Sequence, residues 1–234
     1  LIDTSSGASF AGAWNGCSSL NNIGVVPGAT TSFPLIDTSS GTNFYQTWSG
    51  CNSLTSFPLI DASSGINFDS AWRNCSSLNN IGVVSGATTS FPLLDTSSGT
   101  NFNNAWYNCN SLTSFPSIDT SSGTNFDNAW QNCSSLASFP LINTSEGTSF
   151  AAAWSGCSSL NNIGVVPGAT TSFPLIDTSK GTNFAAAWNG CSSLTSFPSI
   201  NTSSGTGFSF TWLNCSSLTS FPLINTSSGI YFYQ

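Results

Sequence analysis

The period of this chain constrains it more than any other feature. A segment close to LIDTSSGTNFxxxWxxCxSLTSFP recurs from Leu1 to the last residue. Counted from each (L/S)-(I/L)-(D/N), complete units begin at Leu1, Leu35, Leu59, Leu93, Ser117, Leu141, Leu175 and Ser199, and a half unit begins at Leu223. The complete units are therefore 34, 24, 34, 24, 24, 34, 24 and 24 residues long. A unit this short cannot bury its own apolar face, so neighbouring units must cover one another and the core must run through the whole array. The expectation is one repeat solenoid over residues 1–234, without an internal linker. The pattern is already running at Leu1 and still running at Tyr233, with no polar capping unit, so the chain is expected to be a fragment of a larger protein.

Only 5% of the residues are charged, against about 25% in ordinary proteins. Solubility must rest on Ser, Thr, Asn and Gly. Disorder would be the usual reading of such a polar chain, but eight Trp and eighteen Phe, mostly at fixed places in the period, supply the area for a packed core. Two basic residues, Arg73 and Lys180, stand against nine acidic ones, which excludes nucleic acid as a partner. No apolar run is long enough to span a bilayer, so membrane insertion of this segment is not expected.

Within residues 43–51, Phe44, Thr47, Trp48 and Cys51 fall at i, i+3, i+4 and i+7, as do Phe68, Ala71, Trp72 and Cys75 one unit on. That spacing predicts a helix of about two turns in every coil. The upstream run ending at Gly41, whose glycine recurs in all nine units, has turn chemistry. Downstream, Leu54, Phe57 and Leu59 predict a short parallel strand with Phe57 and Leu59 facing the core. In the long units the same Leu is followed by a second apolar segment, so either Leu-Asn-Asn-Ile-Gly-Val or Thr-Ser-Phe-Pro can occupy the ladder. The other must form a ridge. If the first does, the ridges carry Ile23, Val25 and Val26, then Ile81, Val83 and Val84, then Ile163, Val165 and Val166.

The A-W-x-x-C-S-S-L-T-S segment and the L-x-x-(F/I)-x-(L/V) strand resemble the leucine-rich repeats of bacterial surface proteins, in the BspA-like and mycoplasma lipoprotein-like branches. The cleanest instance is Ala187-Trp188-Asn189-Gly190-Cys191-Ser192-Ser193-Leu194-Thr195-Ser196. This chain departs from the family in using Trp where Phe is usual, in placing Phe-Pro in the strand and in its three ten-residue expansions. The resemblance implies a leucine-rich-repeat-like solenoid, each coil a short parallel β-strand plus a short helix and turns. It also implies an extracellular or surface-displayed recognition role, on a cell or a virion; similar repeats look like those of viral and phage surface proteins.

Catalytic and metal chemistry find little footing. The eight cysteines stand one per unit without a C-x-x-C pair, and histidine is absent from the sequence. A column of small, buried, reduced thiols is the expected role, with axial disulfides as the alternative. Asp3, Asp37, Asp61, Asp95, Asp119 and Asp177 share one repeat position with Asn143, Asn201 and Asn225. Calcium binding would need the carboxylates, whereas capping of a turn is done equally well by Asn, so capping is expected. Without His an ordinary nucleophilic triad cannot be assembled, and identical carboxylates on a repeating scaffold have no reason to differ in pKa. The chain is read as no enzyme, with no cofactor and no metal.

The informative contrast lies inside the period. Phe, Trp, Cys and the turn Gly hardly vary, while three positions per unit vary freely, among them Tyr45, Gln46, Asp69, Arg73, Asn103, Tyr107, Asp127, Gln131 and Phe210. A packed ladder cannot absorb such changes, so these residues are expected on a solvent-facing helical surface, with the aromatics as binding anchors. The leading expectation is a surface-displayed recognition or adhesion module, part of a bacterial surface protein or a phage receptor-binding fibre, that binds a cell-surface protein or glycan. The alternatives are a structural spacer and an ice- or crystal-binding face built on Thr38, Ser39, Ser40 and Thr42. Self-association through the Ile/Val ridges is the further partner expectation.

Overall fold

The computed structural model describes residues 3–21 and 27–233. Among these residues there is neither a helix nor a continuous strand. The coils do stack in parallel: single bridges join Ser9 to Asn43, Asn43 to Asn67 and so on to Gly207 and Tyr231, one per coil, with a lone second bridge between Ser114 and Ser138. The expected leucine-rich-repeat-like solenoid of strand and helix is therefore corrected to a stack of coils made of turns.

The segment read as a helix shows why. The N–H groups of Phe44, Gln46, Trp48 and Gly50 leave the coil and bond the carbonyls of Asn67, Asp69, Ala71 and Arg73 in the next one at 2.7–2.9 Å. Those of Thr47, Ser49 and Cys51 fold back on Phe44, Gln46 and Trp48, three residues earlier, at 3.1–3.2 Å. A helix would direct all of these donors to i−4. Here alternate peptides stand along the stack and the others close tight turns. Two left-handed residues per coil make this geometry, Gln46 (φ 52) and Gly50 (φ 75) in this unit, with counterparts such as Asn104 (φ 52) and Asn108 (φ 60). Consecutive turns bring Phe44, Thr47, Trp48 and Cys51 to the interior, all buried, just as a helix would have done.

Three aromatic columns form the centre of the core, flanked by Leu, Ile, Ala and Cys. Phe10, Phe44, Phe68 and their successors stack at centroid separations of 5.3–5.6 Å. The Trp column, from Trp14 to Trp212, repeats at 5.4–6.0 Å. A second Phe column (Phe33, Phe57, Phe91 and onward) meets the indoles edge to face; Phe115, for instance, lies 4.8 Å from Trp106 at 76°. Trp106 is fully buried between Trp72 and Trp130, each at 5.4 Å. Its indole N–H has no nitrogen or oxygen acceptor, like those of Trp48, Trp72, Trp130, Trp154, Trp188 and Trp212. Area and ring packing alone hold these side chains, at the cost of an unmade hydrogen bond.

The invariant glycine is explained by the same rings. A Cβ on Gly123 would lie 2.5 Å from Cζ of Phe126, and Gly65, Gly147 and Gly181 meet their own Phe at 2.4 Å. Close approach of a phenyl ring, rather than a left-handed turn, requires glycine here.

The strand expectation fails at Leu59. Phe57 is buried, but Leu59 is 64% exposed and Ile60 takes the interior position. In neighbouring units the proline carbonyl accepts a bond from the residue two further on, Leu94 to Pro92 and Ile118 to Pro116, at 2.9–3.0 Å. This three-residue turn throws the intervening side chain outward. Proline, with no donor to offer a ladder, is suited to the corner.

The long units keep Thr-Ser-Phe-Pro in register, since Phe91 and Phe173 join the second Phe column. The excursion begins at Asn80, whose N–H bonds the Ser90 carbonyl at 2.9 Å and closes its neck. The buried Asn80 side chain accepts from the Phe57 N–H at 2.9 Å and donates to the Phe57 carbonyl at 3.0 Å, as a backbone peptide would. Asn162 repeats both bonds with Phe139. Ile81, Val83, Ile163 and Val165 are exposed on the two ridges that result; Ile23, Val25 and Val26 lie outside the described residues.

Trp106→Ala should cost about 3–5 kcal/mol in equilibrium unfolding, as for other buried large-to-small changes. Trp106→Phe should cost well under half of that, because it keeps a stacking ring and removes the unpaired N–H. Equal costs for the two would mean that a phenyl ring does not take the indole's place in the stack.

Candidate functional site

The outward positions of the turn segment form adjacent columns along one face. Tyr45 is 40% exposed, and Gln46, Asp69, Arg73, Asn103, Tyr107, Asp127 and Gln131 are half-buried. The face is thus carried by turns and not by the expected helix surface. Spacing along it follows the stack, one side chain per coil in each column. Units two to five bring eight of the nine predicted residues together, whereas Phe210 lies in unit eight, beyond the small side chains Ala151, Ala152, Ala185 and Ala186. Phe210 is also left-handed (φ 57), a conformation that costs an L-residue about 1–2 kcal/mol.

Several of these side chains are engaged with neighbouring coils. Gln46 Oε1 accepts a bond from Asn15 at 3.2 Å. Asp69 accepts from Ser70 at 2.7 Å and from Asn103 at 3.5 Å. Asp127 has a structural task that the sequence reading missed. In most units an Asn side chain accepts the N–H two residues on, as Asn43 does from Tyr45 and Asn101 from Asn103. Unit six has Ser149 instead, and Asp127 of the preceding coil substitutes, accepting from the Ala151 N–H at 2.8 Å and the Ser149 hydroxyl at 2.5 Å.

Arg73 is different. Its guanidinium carbon lies 5.0 Å from the centroid of the Tyr107 ring in the next coil. Among the described residues the ion pair is Lys180 with Glu146 at 2.6 Å, and Arg73 has no carboxylate partner. Its Nε is buried without an acceptor. Directly after this pair in the chain, Asn74 and Asn108 line an open polar cleft of about 290 Å³ with Gly50, Asn52, Ser76 and Asn110. The Asn108 amide donates to that of Asn74 at 3.1 Å. A larger groove, about 690 Å³, lies between the first and third units, with Phe57, Pro58 and Leu59 among its lining residues and Val84 and Ala87 on the ridge side.

The repeated acidic position caps turns. Asp37 Oδ1 accepts both the N–H and the hydroxyl of Ser39, at 3.0 and 2.7 Å, and Asn201 and Asn225 serve Ser203 and Ser227 alike. The hydroxyl and N–H of Ser39 hold the Asp37 carboxyl below its ordinary value of 3.8, and Asp3, Asp61, Asp119 and Asp177 are lowered by the matching bonds. Thr38, assigned above to a flat ice-binding row, is buried and donates to the Asp61 carbonyl, so it does not share a face with Ser39, Ser40 and Thr42.

The cysteines are free, and six of them, from Cys51 to Cys191, are buried. Each donates its S–H to the Trp carbonyl of the preceding coil at 3.1–3.2 Å, as Cys109 does to Trp72. Burial pushes the Cys51 and Cys133 thiols up to about 12 and Cys75, Cys109, Cys157 and Cys191 well above 9.0. A thiol so placed is neither a nucleophile nor a ready metal ligand.

No family model, curated protein or solved structure matches this chain.

Two pH limbs follow from the directions of these shifts. The Asp contribution is complete above the unfolded value of 3.8 and disappears as pH falls through the lower folded values. Replacing Asp3, Asp37, Asp61, Asp119 and Asp177 together by Asn should flatten the acid limb of the unfolding midpoint and leave pH 7 stability nearly unchanged; an unaltered acid limb would contradict the capping role. The thiol contribution is complete below 9.0 and is lost as pH rises toward about 12. Cys75, Cys109, Cys133 and Cys157 should therefore resist a thiol reagent in native buffer at pH 8 and react on addition of denaturant, scored by mass spectrometry.

Proposed function

We propose that the chain is a non-catalytic recognition or adhesion module, displayed on a cell or virion surface, whose binding face is the turn segment of units two to five. The observation that carries this reading is the contrast between an unvarying aromatic interior and an outward face that varies from coil to coil at fixed spacing. Such a scaffold tolerates changes at the face without repacking, because the varied side chains contribute little to the core. Tyr45, Arg73 and Tyr107 are the residue types that dominate interfaces. The resemblance of the A-W-x-x-C-S-S-L-T-S segment to repeats of bacterial surface proteins supports the same location and role.

A second reading, self-association through the Ile/Val ridges, is supported by exposed Ile81, Val83, Ile163 and Val165 and by the apolar groove between the first and third units. The two readings separate cleanly. Fluorescently labelled protein should bind intact cells of the host or target, with competition by unlabelled protein. The triple change Tyr45→Ala, Arg73→Ala and Tyr107→Ala should reduce that binding at least tenfold while the unfolding midpoint stays nearly constant. Deletion of residues 21–30, 79–88 and 161–170, which restores 24-residue units throughout, should leave cell binding intact and change only the sedimentation coefficient. Loss of binding in the deletion and not in the triple variant would move the function to the ridges.

A further inference from the structure

We infer that the ligand of this face is a glycan bearing a carboxylate sugar, bound at the Arg73–Tyr107 pair and the adjoining amide cleft; this rests on the recognition reading above. Arg73 is the chain's sole guanidinium. Unlike Lys180, it has no carboxylate partner among the described residues; Tyr107 stacks on it at 5.0 Å, and its Nε is buried, out of a ligand's reach. Holding a long cation against a ring with Nε covered leaves its two terminal nitrogens as a planar fork whose natural complement is a carboxylate, taken bidentately. Tyr107 limits the rotamer freedom that binding would otherwise have to remove.

The surroundings favour a sugar over a protein segment. The three variable positions of units two to five are filled by Tyr, Arg and small polar or amide side chains with no aliphatic residue among them, so hydrogen-bonding groups predominate across the face. The neighbouring cleft is lined by four Asn, one Ser and Gly50, which offer amide donors and acceptors at close spacing for ring hydroxyls. Gly50 occupies in the second unit the position held by Asn74 and Asn108 in units three and four.

The test uses the full chain and immobilised oligosaccharides ending in glucuronate, in sialate, or in the carboxyl-reduced form of each. The wild-type protein should bind at least one of the acidic forms no less than tenfold more tightly than its reduced counterpart, and the two arms tell which sugar is read. Arg73→Ala should abolish that preference, and Arg73→Lys should lose most of it, because an ammonium keeps the charge without the fork. Tyr107→Phe should retain the preference and Tyr107→Ala should not. Equal affinity for acidic and reduced forms, or an acid preference that survives Arg73→Ala, overturns the inference. So does binding of neutral glycans alone, or of a protein ligand with no glycan bound, although cell binding that depends on the same face would leave the recognition reading standing. If cells are not bound at all, the recognition reading falls, and the inference with it.

Discussion

Every coil must place each residue directly over its counterpart, and the rest of the structure depends on that register. The alternate peptides of the turn segment enforce it, with N–H groups of one coil on carbonyls of the next at 2.7–2.9 Å. Once that ladder sets the rise, identical side chains are stacked on identical side chains, and only types that tolerate self-stacking can line the interior. Flat rings do so well, which is why three of the interior columns are aromatic. Cysteine fits for another reason: the carbonyl of Trp72 can accept both the N–H of Cys75 in its own coil and the S–H of Cys109 in the next.

The same register explains what the outer surface can do. A side chain at a variable position has its nearest neighbours at equivalent positions one coil up and down, so pairs such as Arg73 with Tyr107 arise from simple adjacency in the stack. It also explains the compensation at Asp127. When unit six lost the Asn that caps its own turn, the nearest substitute was a side chain one coil away. A face organised in this manner can be edited one residue at a time, and a ridge can be inserted where an Asn such as Asn80 closes the gap left against the previous coil.

Parts of this architecture were legible in the chain, and the misreadings have physical causes. The i, i+3, i+4, i+7 spacing of Phe44, Thr47, Trp48 and Cys51 identified the buried residues correctly and the backbone wrongly, because two consecutive tight turns project the same positions inward as two turns of helix. One sequence signal could have separated them. The residue before each Cys is Gly or Asn in every unit (Gly16, Gly50, Asn74, Asn108, Asn132, Gly156, Gly190, Asn214), the two types that enter the left-handed region most readily. Likewise the strand pattern placed Phe57 properly and Leu59 improperly, since the turn at proline inverts the alternation for the residue that follows.

What the sequence by itself determined is the repeat, its aromatic and thiol columns, the turn-capping Asp/Asn position and the set of varied residues, because periodicity and residue chemistry are local properties. Only the tertiary structure decided the conformation of the coil, the occupant of the ladder in the long units and the pairing of Arg73 with Tyr107. Those outcomes depend on where each N–H finds its acceptor. In this fold half of the turn segment's acceptors lie a whole coil away, 23 residues on from Phe44 to Asn67 and 33 from Phe68 to Asn101. A reading along the chain cannot see partners at that distance until the coils are stacked.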